Sequence, residues 1–177
     1  MLLASPDFTT AWAVRKRQLP PGGAADELHF TWLVLTRSPK SAESWSHRAW
    51  VVRTCGLSPQ QAEEELALAW VAATRAASNY YAGVHRLRVV PSARGKCIRE
   101  ELGRSRKWLR THAADSSGWW YHRQLIELAR GAAAETVGGE LEFVRGLRDP
   151  GQARSQCIEV QEQWLLKLQQ AGVGGTA

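Results

Sequence analysis

NYYAGVHR at residues 79–86 and SAESWSHR at residues 41–48 are two copies of one signature, and its recurrence decides the fold of this chain. Both copies end in His-Arg, and a related Trp-x-x-Arg segment occurs twice more. The four copies begin at Trp12, Trp45, Gly83 and Trp120, with Gly83 standing where the other copies have Trp. These first positions are 33, 38 and 37 residues apart, so the sequence indicates an array of repeated structural units.

A second set of tryptophans keeps the same period. Trp32, Trp70 and Trp108 precede the first positions of the following copies by 13, 13 and 12 residues. A degenerate fifth copy occupies residues 150–159. Two coupled series with one period are far less expected by chance than one short motif, and they favour helical repeats.

Helical periodicity and the residues that interrupt it divide the chain into paired helices. No segment alternates polar and apolar residues with period two. The pattern therefore predicts an all-α fold, an α/α superhelix (solenoid) of antiparallel helical hairpins similar to tetratricopeptide repeats. We expect one helical-repeat domain over residues 1–172 and a flexible tail at 173–177. The predicted helices cover residues 6–19, 26–37, 41–53, a long segment from Ser58-Pro59, 80–90, a basic segment capped by Ser92, 116–131, 133–148 and 152–170.

Composition narrows the class of protein. Of 177 residues, 44% are hydrophobic and 23% charged, which is typical of a globular chain. No apolar run is long enough to span a membrane, and the apolar run at residues 1–4 is too short for a signal peptide, so we predict a cytoplasmic protein. The three cysteines are widely spaced and without a CxxC pair, which argues against a disulfide framework and against a metal site in this chain.

The net charge of +6 is concentrated in one stretch. Residues 86–110 hold nine basic residues against Glu100 and Glu101, a local surplus of +7. Such a run is compatible with a solvated helix face, an acidic protein partner, a diphosphate or a nucleic acid. Nucleic acid is the least favoured, because the aromatic residues fall at predicted core positions.

The repeated motif is predicted to be a packing device. Trp at position i and Arg at i+3 lie on one face of a helix, where the guanidinium can stack near the indole and donate to the adjacent hairpin. The histidines that precede Arg recur at matching repeat positions, so we interpret them as structural rather than catalytic. Trp50 and Trp119 fall outside both series and are predicted to lie outside the core. The predicted structural residues are Trp12, Arg15, Trp45, His47, Arg48, His85, Arg86, Trp120, His122 and Arg123.

These copies resemble the α-subunit repeats of protein prenyltransferases. The resemblance rests on the Asn-Tyr and His-Arg of residues 79–86, on the Pro-Lys and Trp-x-His-Arg of residues 39–48, and on residues 6–16. It covers about residues 5–130 and fades toward 160. It implies a crescent of helical hairpins around a separate α/α-barrel β-subunit, which holds the zinc and most of the isoprenoid and protein-substrate pocket. No cofactor is expected in this chain.

The resemblance also implies site residues. The family pattern Pro-Lys-Asn-Tyr becomes Pro-Lys-Ser-Ala here, so Lys40 is kept as the catalytic lysine beside the isoprenoid diphosphate, while Ala42 replaces the tyrosine. Asn79 and Tyr80 are kept, and Tyr81 stands where farnesyltransferase-type subunits have His. The last three are the implied substrate-binding residues.

The function implied is that of a non-catalytic α-type subunit in a protein prenyltransferase heterodimer that transfers farnesyl or geranylgeranyl to a protein cysteine. The partners implied are a β-subunit and, through the complex, an isoprenoid diphosphate and the protein to be prenylated. The isolated chain is expected to have no activity. The alternatives are a helical interaction scaffold without transferase activity and, less favoured, a nucleic-acid-binding protein.

Overall fold

The computed structural model describes residues 1–90, 98–130, 136–147 and 156–173, and within these ranges the secondary structure is entirely helical. The prediction of an all-α fold built from helical hairpins is confirmed. The predicted cap at Ser92 lies outside the described residues. The nine described helices are α1 Thr9–Gln18, α2 Ala24–Arg37, α3 Ala42–Cys55, α4 Pro59–Arg75, α5 Tyr80–Val89, α6 Ile98–Leu109, α7 Ser116–Arg130, α8 Thr136–Gly146 and α9 Gln156–Val173.

Four hairpins account for eight of these helices. In sequence order, α2 packs on α3, α4 on α5, α6 on α7 and α8 on α9, and α1 precedes the first hairpin. The chain divides into two compact units, Met1–Gly95 and Lys96–Ala177. In the first unit, α1 packs on α3 and α3 on α5; in the second, α7 packs on both α8 and α9. The single domain over 1–172 and its tail stay predictions.

Local side-chain caps begin several helices where the sequence indicates them. The hydroxyl of Ser41 accepts the backbone N–H of Ser44 at the start of α3. At the start of α4, Ser58 and Gln61 form a reciprocal capping box around Pro59. These bonds satisfy N–H groups that the first helical turn leaves unpaired.

The first helix begins later than predicted, at Thr9 rather than residue 6. The carbonyl of Pro6 accepts the indole N–H of Trp12 at 2.6 Å. The carboxylate of Asp7 accepts the hydroxyl of Ser41 at 2.7 Å and the backbone N–H of Glu43 at 3.3 Å. Asp7 therefore places its negative charge at the positive N-terminus of α3.

The core of the first unit forms around the motif tryptophans. Trp45, which is 3% exposed, packs with Leu35 and with small residues of α4 and α5. Trp12, which is 1% exposed, packs with a second group from the N-terminal turn, α1 and α2. The residues in these two clusters are Leu35, Trp45, Ala69, Ala72 and Ala82, and Leu2, Ala11, Trp12 and Val34.

Candidate functional site

A buried glutamate lies in the first helix of each hairpin, and none of these residues was identified from the sequence. They are Glu27, Glu65, Glu101 and Glu140, each at most 6% exposed. The signal was present, because each is followed by Leu, and the four Glu-Leu pairs are 38, 36 and 39 residues apart. That period matches the Trp and Arg series.

Arg48 shows what the buried carboxylate does. Its guanidinium donates from Nε to Glu65 of α4 at 2.7 Å and makes a second bond to the same carboxylate through Nη2. Its Nη1 donates to the carbonyl of Leu28 and to the hydroxyl of Thr31 in α2, both at 2.7 Å. One arginine of α3 thus joins its own hairpin to the next one.

The neighbouring repeats use the same device. Arg15 of α1 donates to both carboxylate oxygens of Glu27 at 2.8 and 2.6 Å. Arg86 of α5 donates to the carbonyl of Leu66, the equivalent of the bond from Arg48 to its own hairpin. The ring of Trp70 lies 4.2 Å from the Arg86 guanidinium carbon. Arg15 and Arg86 thus bond to a neighbouring helix, and Arg48 is the motif arginine whose described bonds reach two hairpins.

The motif histidines complete these clusters. His47 Nε2 lies 2.6 Å from Glu27, and His85 Nε2 lies 2.8 Å from Glu65. Both rings are 1% exposed. Within the described residues, neither Nδ1 atom has a hydrogen-bond partner, which fits a neutral ring protonated on Nε2. Burial lowers the pKa of His85 below its usual 6.5 despite the adjacent carboxylate.

The two glutamates of the first unit are held ionised. Burial alone would raise the pKa of Glu27 and Glu65, but hydrogen bonds from their His and Arg partners and the charge of the arginines outweigh it, and the pKa of each is about 2. Each carboxylate already has two partners. The clusters are therefore suited to holding hairpins together, and no group in them is poised to accept a proton from a substrate.

We expect acid to destabilise the chain in two steps. The unfolded state binds protons at His near pH 6.5 and at Glu near pH 4.5, whereas folded His85 titrates at lower pH and the folded Glu27 and Glu65 only near 2. Stability should therefore fall as the pH drops below 6.5, and again between about 4.5 and 2. Circular dichroism melts should show a Tm at pH 3 lower than at pH 7 by roughly 5 °C or more. A Tm that stays constant between pH 7 and pH 3 would show that the buried clusters of Glu, His and Arg do not stabilise the fold.

The fourth copy of the motif has a different register from the predicted one. The indole N–H of Trp119 donates to the carbonyl of Ala113, six residues earlier, at 2.8 Å, as the first two motif tryptophans do to their own prolines. Trp119 is 3% exposed, so the prediction that it lies outside the core is wrong. Trp120, which was predicted for this position, is half-buried. Trp50 is also half-buried.

The shift by one residue changes the chemistry of this copy. Tyr121 takes the position of the motif histidine, and its hydroxyl donates to Glu101, 20 residues earlier, at 2.6 Å. His122 takes the position of the motif arginine and bonds to Ser105 at 2.6 Å and Glu140 at 2.9 Å. Arg123 therefore lies one position beyond the motif and contacts α9, where it bonds to Gln161 and lies over the ring of Trp164.

The structure brings the turn that carries Lys40 beside the start of α5. The side-chain amide of Asn79 donates to the carbonyl of Pro39 at 2.7 Å, and its oxygen caps the N–H of Ala82 at 3.2 Å. Lys40 is exposed in the turn between α2 and α3. Asn79, by contrast, is 3% exposed, and its amide is occupied by these bonds.

Tyr80 and Tyr81 extend the same edge. They are 47% and 39% exposed at the first turn of α5, with their ring centres 6.0 Å apart. Of the four implied site residues, Lys40, Tyr80 and Tyr81 are thus accessible to a ligand or partner, and Asn79 has a structural role.

Lys40 holds the repeat position that Asp7 holds one repeat earlier. Asp7 follows Pro6 just as Lys40 follows Pro39, and each proline carbonyl accepts the side chain that caps the next repeat's helix, Ser41 in one case and Asn79 in the other. The N-terminus of α3 is therefore accompanied by the carboxylate of Asp7, whereas the equivalent position in the turn beside α5 is occupied by a lysine. A helix N-terminus and an ammonium both favour an anion.

Across the described ranges, no group of three His, Cys, Asp or Glu side chains is placed to hold a metal ion. No helix within those ranges is both long and apolar enough to cross a membrane.

Comparison with known proteins identifies a known repeat in this chain. The model of the protein prenyltransferase alpha subunit repeat matches residues 24–55 and 98–129. Protein prenyltransferase alpha subunit repeat-containing protein 1 of Danio rerio is 35% identical over 153 residues, covering 72% of this chain and 36% of that protein. The protein of the same name from Homo sapiens is 50% identical over 50 residues, covering 27% of this chain and 12% of that protein.

The likeness covers part of each relative's length and two of the hairpins of this chain. The chain spans about a third of the length of the Danio rerio relative and less of the others. The two matched segments correspond to the hairpins α2–α3 and α6–α7, which hold the buried Glu, Trp and His side chains described above. The chain carries the protein prenyltransferase alpha subunit repeat in two of its hairpins and is an α-subunit-like helical-repeat protein.

Proposed function

We propose that this chain acts as a non-catalytic α-type subunit of a protein prenyltransferase. It binds a β-type subunit and supports the transfer of a farnesyl or geranylgeranyl group to a protein cysteine. The zinc of such an enzyme is carried by the β-type subunit. The match to the alpha subunit repeat and the names of the relatives support an α-subunit role, and one feature of the structure supports a role near the diphosphate.

That feature is Lys40, which lies in the turn whose Pro39 carbonyl accepts the side chain that caps α5. The repeat one step earlier has Asp7 in the equivalent position, so a cation there is not required by the fold. When an isoprenoid is transferred, negative charge develops on the departing diphosphate. An ammonium and a helix N-terminus placed beside it stabilise that charge without having to reorganise.

A second candidate function is a helical scaffold that binds proteins without any transferase activity. It is favoured by the motif residues themselves, because the buried Arg, His and Glu side chains of the first unit bond to one another. It is also favoured by Ala42, which supplies no hydroxyl beside Lys40. The two functions differ in whether Lys40 affects a reaction.

We expect Lys40→Ala to slow prenyl transfer in the assembled heterodimer. The chain is purified from its own cells with the β-type subunit that accompanies it, and the pair is reconstituted from wild-type or variant chain. Loss of preorganised electrostatic help of this kind typically raises the barrier by roughly 2.7 to 4 kcal/mol. We therefore expect kcat to fall by at least about tenfold, which corresponds to 1.4 kcal/mol.

The matched control is Lys167→Ala, which removes an exposed lysine from α9. It should leave kcat unchanged, and both variants should assemble as the wild type does. An unchanged rate for a fully assembled Lys40→Ala complex would remove Lys40 from the site. If no β-type subunit co-purifies and no transfer is measured with any added one, the scaffold function is the correct one.

A further inference from the structure

One face of α6 carries four exposed cations, Arg99, Arg104, Lys107 and Arg110, the last in the residue that follows the helix. We call this set the basic face of α6. With 100° between successive residues of a helix, the four side chains lie within an arc of about 140°. Its only exposed acid is Glu100. Glu100 lies within the same arc, so the face carries four cations against one acid.

The opposite face of α6 is buried in the fold. Glu101, Leu102, Ser105 and Leu109 are each at most 4% exposed. Arg106, which is half-buried at the edge of the basic face, donates to both oxygens of Glu140 on α8. The fold thus neutralises this half-buried cation of α6.

The cations of the basic face are not neutralised in this way. Among the described residues, Arg99, Arg104 and Lys107 have no ion pair or hydrogen bond, and Arg110 lies with its guanidinium carbon 5.5 Å from the ring centre of Phe143. Substituting Gly103, in the middle of the face, would place a Cβ that meets nothing within 4 Å. The backbone there is open to close approach by another chain.

We propose that the basic face of α6 is a docking surface for an acidic helix of a protein partner. Arg104, Lys107 and Arg110 recur every three residues, about 4.5 Å along the axis. Carboxylates at every third or fourth position of a second helix repeat with a similar rise, so several ion pairs can form at once. This surface belongs to the second unit and includes none of the residues assigned to the edge that carries Lys40, so it serves the proposed subunit or a scaffold equally.

A protein partner fits this surface better than a single-stranded nucleic acid does. Binding of single strands normally combines cations with aromatic rings on which bases stack. The only aromatic residue of α6 is Trp108, and its ring is stacked on His112 with the centres 4.1 Å apart and the planes parallel. The basic face itself offers charge without a stacking platform.

The test measures binding of a fluorescein-labelled, alanine-based helical peptide with glutamate at every third or fourth position to the full chain. Fluorescence anisotropy should show saturable binding that weakens as salt rises from roughly 50 to 150 mM. The double variant Arg104→Glu/Lys107→Glu should bind at least about tenfold more weakly. The control variant Lys167→Glu, on α9 of the same unit, should bind as the wild type does.

A second variant keeps the test decisive if charge reversal disturbs folding. Arg104→Ala/Lys107→Ala removes the same charges from exposed positions and should also weaken binding, with an unchanged melting temperature. Equal affinity in the wild type and the neutral variant, or no binding of the peptide, would show that the face is merely solvated. Tighter binding of a single-stranded oligonucleotide of equal charge would overturn the assignment to a protein partner.

Discussion

Glu65→Ala should lower the free energy of unfolding of the chain by about 3 to 5 kcal/mol, because it leaves a buried charge without its partner. The guanidinium of Arg48 is 2% exposed and makes two of its bonds to this carboxylate. Its remaining bonds, to α2, cannot neutralise it. His85 loses its only acceptor at the same time.

The adjacent residue supplies a matched control for this prediction. Glu64 is exposed on the same helix and accepts a hydrogen bond from the side-chain amide of Gln60, one turn earlier. Glu64→Ala should change the unfolding free energy by no more than about 0.5 kcal/mol. Urea unfolding followed by circular dichroism measures both variants. Similar midpoints for the two would show that the buried cluster does not stabilise the fold.

Trp45→Ala should be almost as damaging, at about 3 to 5 kcal/mol, because it removes a large side chain from a closely packed cluster. Trp45 is 3% exposed and packs against residues of α2, α4 and α5. Its ring centre lies 5.2 Å from that of His85, and its indole N–H donates to Pro39 at 2.8 Å. The variant should unfold at a much lower urea concentration or aggregate.

Two further variants separate packing from hydrogen bonding. Trp45→Phe keeps a ring in the cluster but loses the donor to Pro39, whose carbonyl retains the amide of Asn79. It should therefore be less damaging than Trp45→Ala. Trp50→Ala, at a half-buried position of the same helix, serves as the control and should be milder still. A Trp45→Ala chain that unfolds at the wild-type midpoint would show that the motif is not part of the core.

The sequence was sufficient to locate the helices and their pairing. Helix starts depend on residues within one turn, and Ser58, Pro59 and Gln61 predict the beginning of α4 from four adjacent positions. The repeat period depends on side chains that every hairpin must bury in the same place. It can still be recognised after a single change, such as the glycine at position 83 in place of tryptophan. Local rules thus determine the class of fold.

The acid partners and the register of the fourth copy were decided only by the tertiary structure. Glu27 and His47 are 20 residues apart and meet because α2 and α3 fold back on each other, so no local pattern joins them. Around Trp119, two adjacent tryptophans satisfy the sequence pattern equally well. A shift of one residue rotates a helix position by about 100°, and only packing in three dimensions chooses which indole is buried.

Some features of the candidate site likewise follow from the sequence, and others follow only from the tertiary structure. The sequence by itself determined that Lys40 precedes the second motif and that Asn79 caps the following repeat, because both follow from position in the period. Only the tertiary structure decided that the Asn79 amide donates a hydrogen bond to the Pro39 carbonyl. It also decided that Lys40 occupies the position that Asp7 has in the preceding repeat. The physical reason is that charge and hydrogen bonding at a helix start depend on the neighbouring repeat, 33 to 40 residues away in the chain.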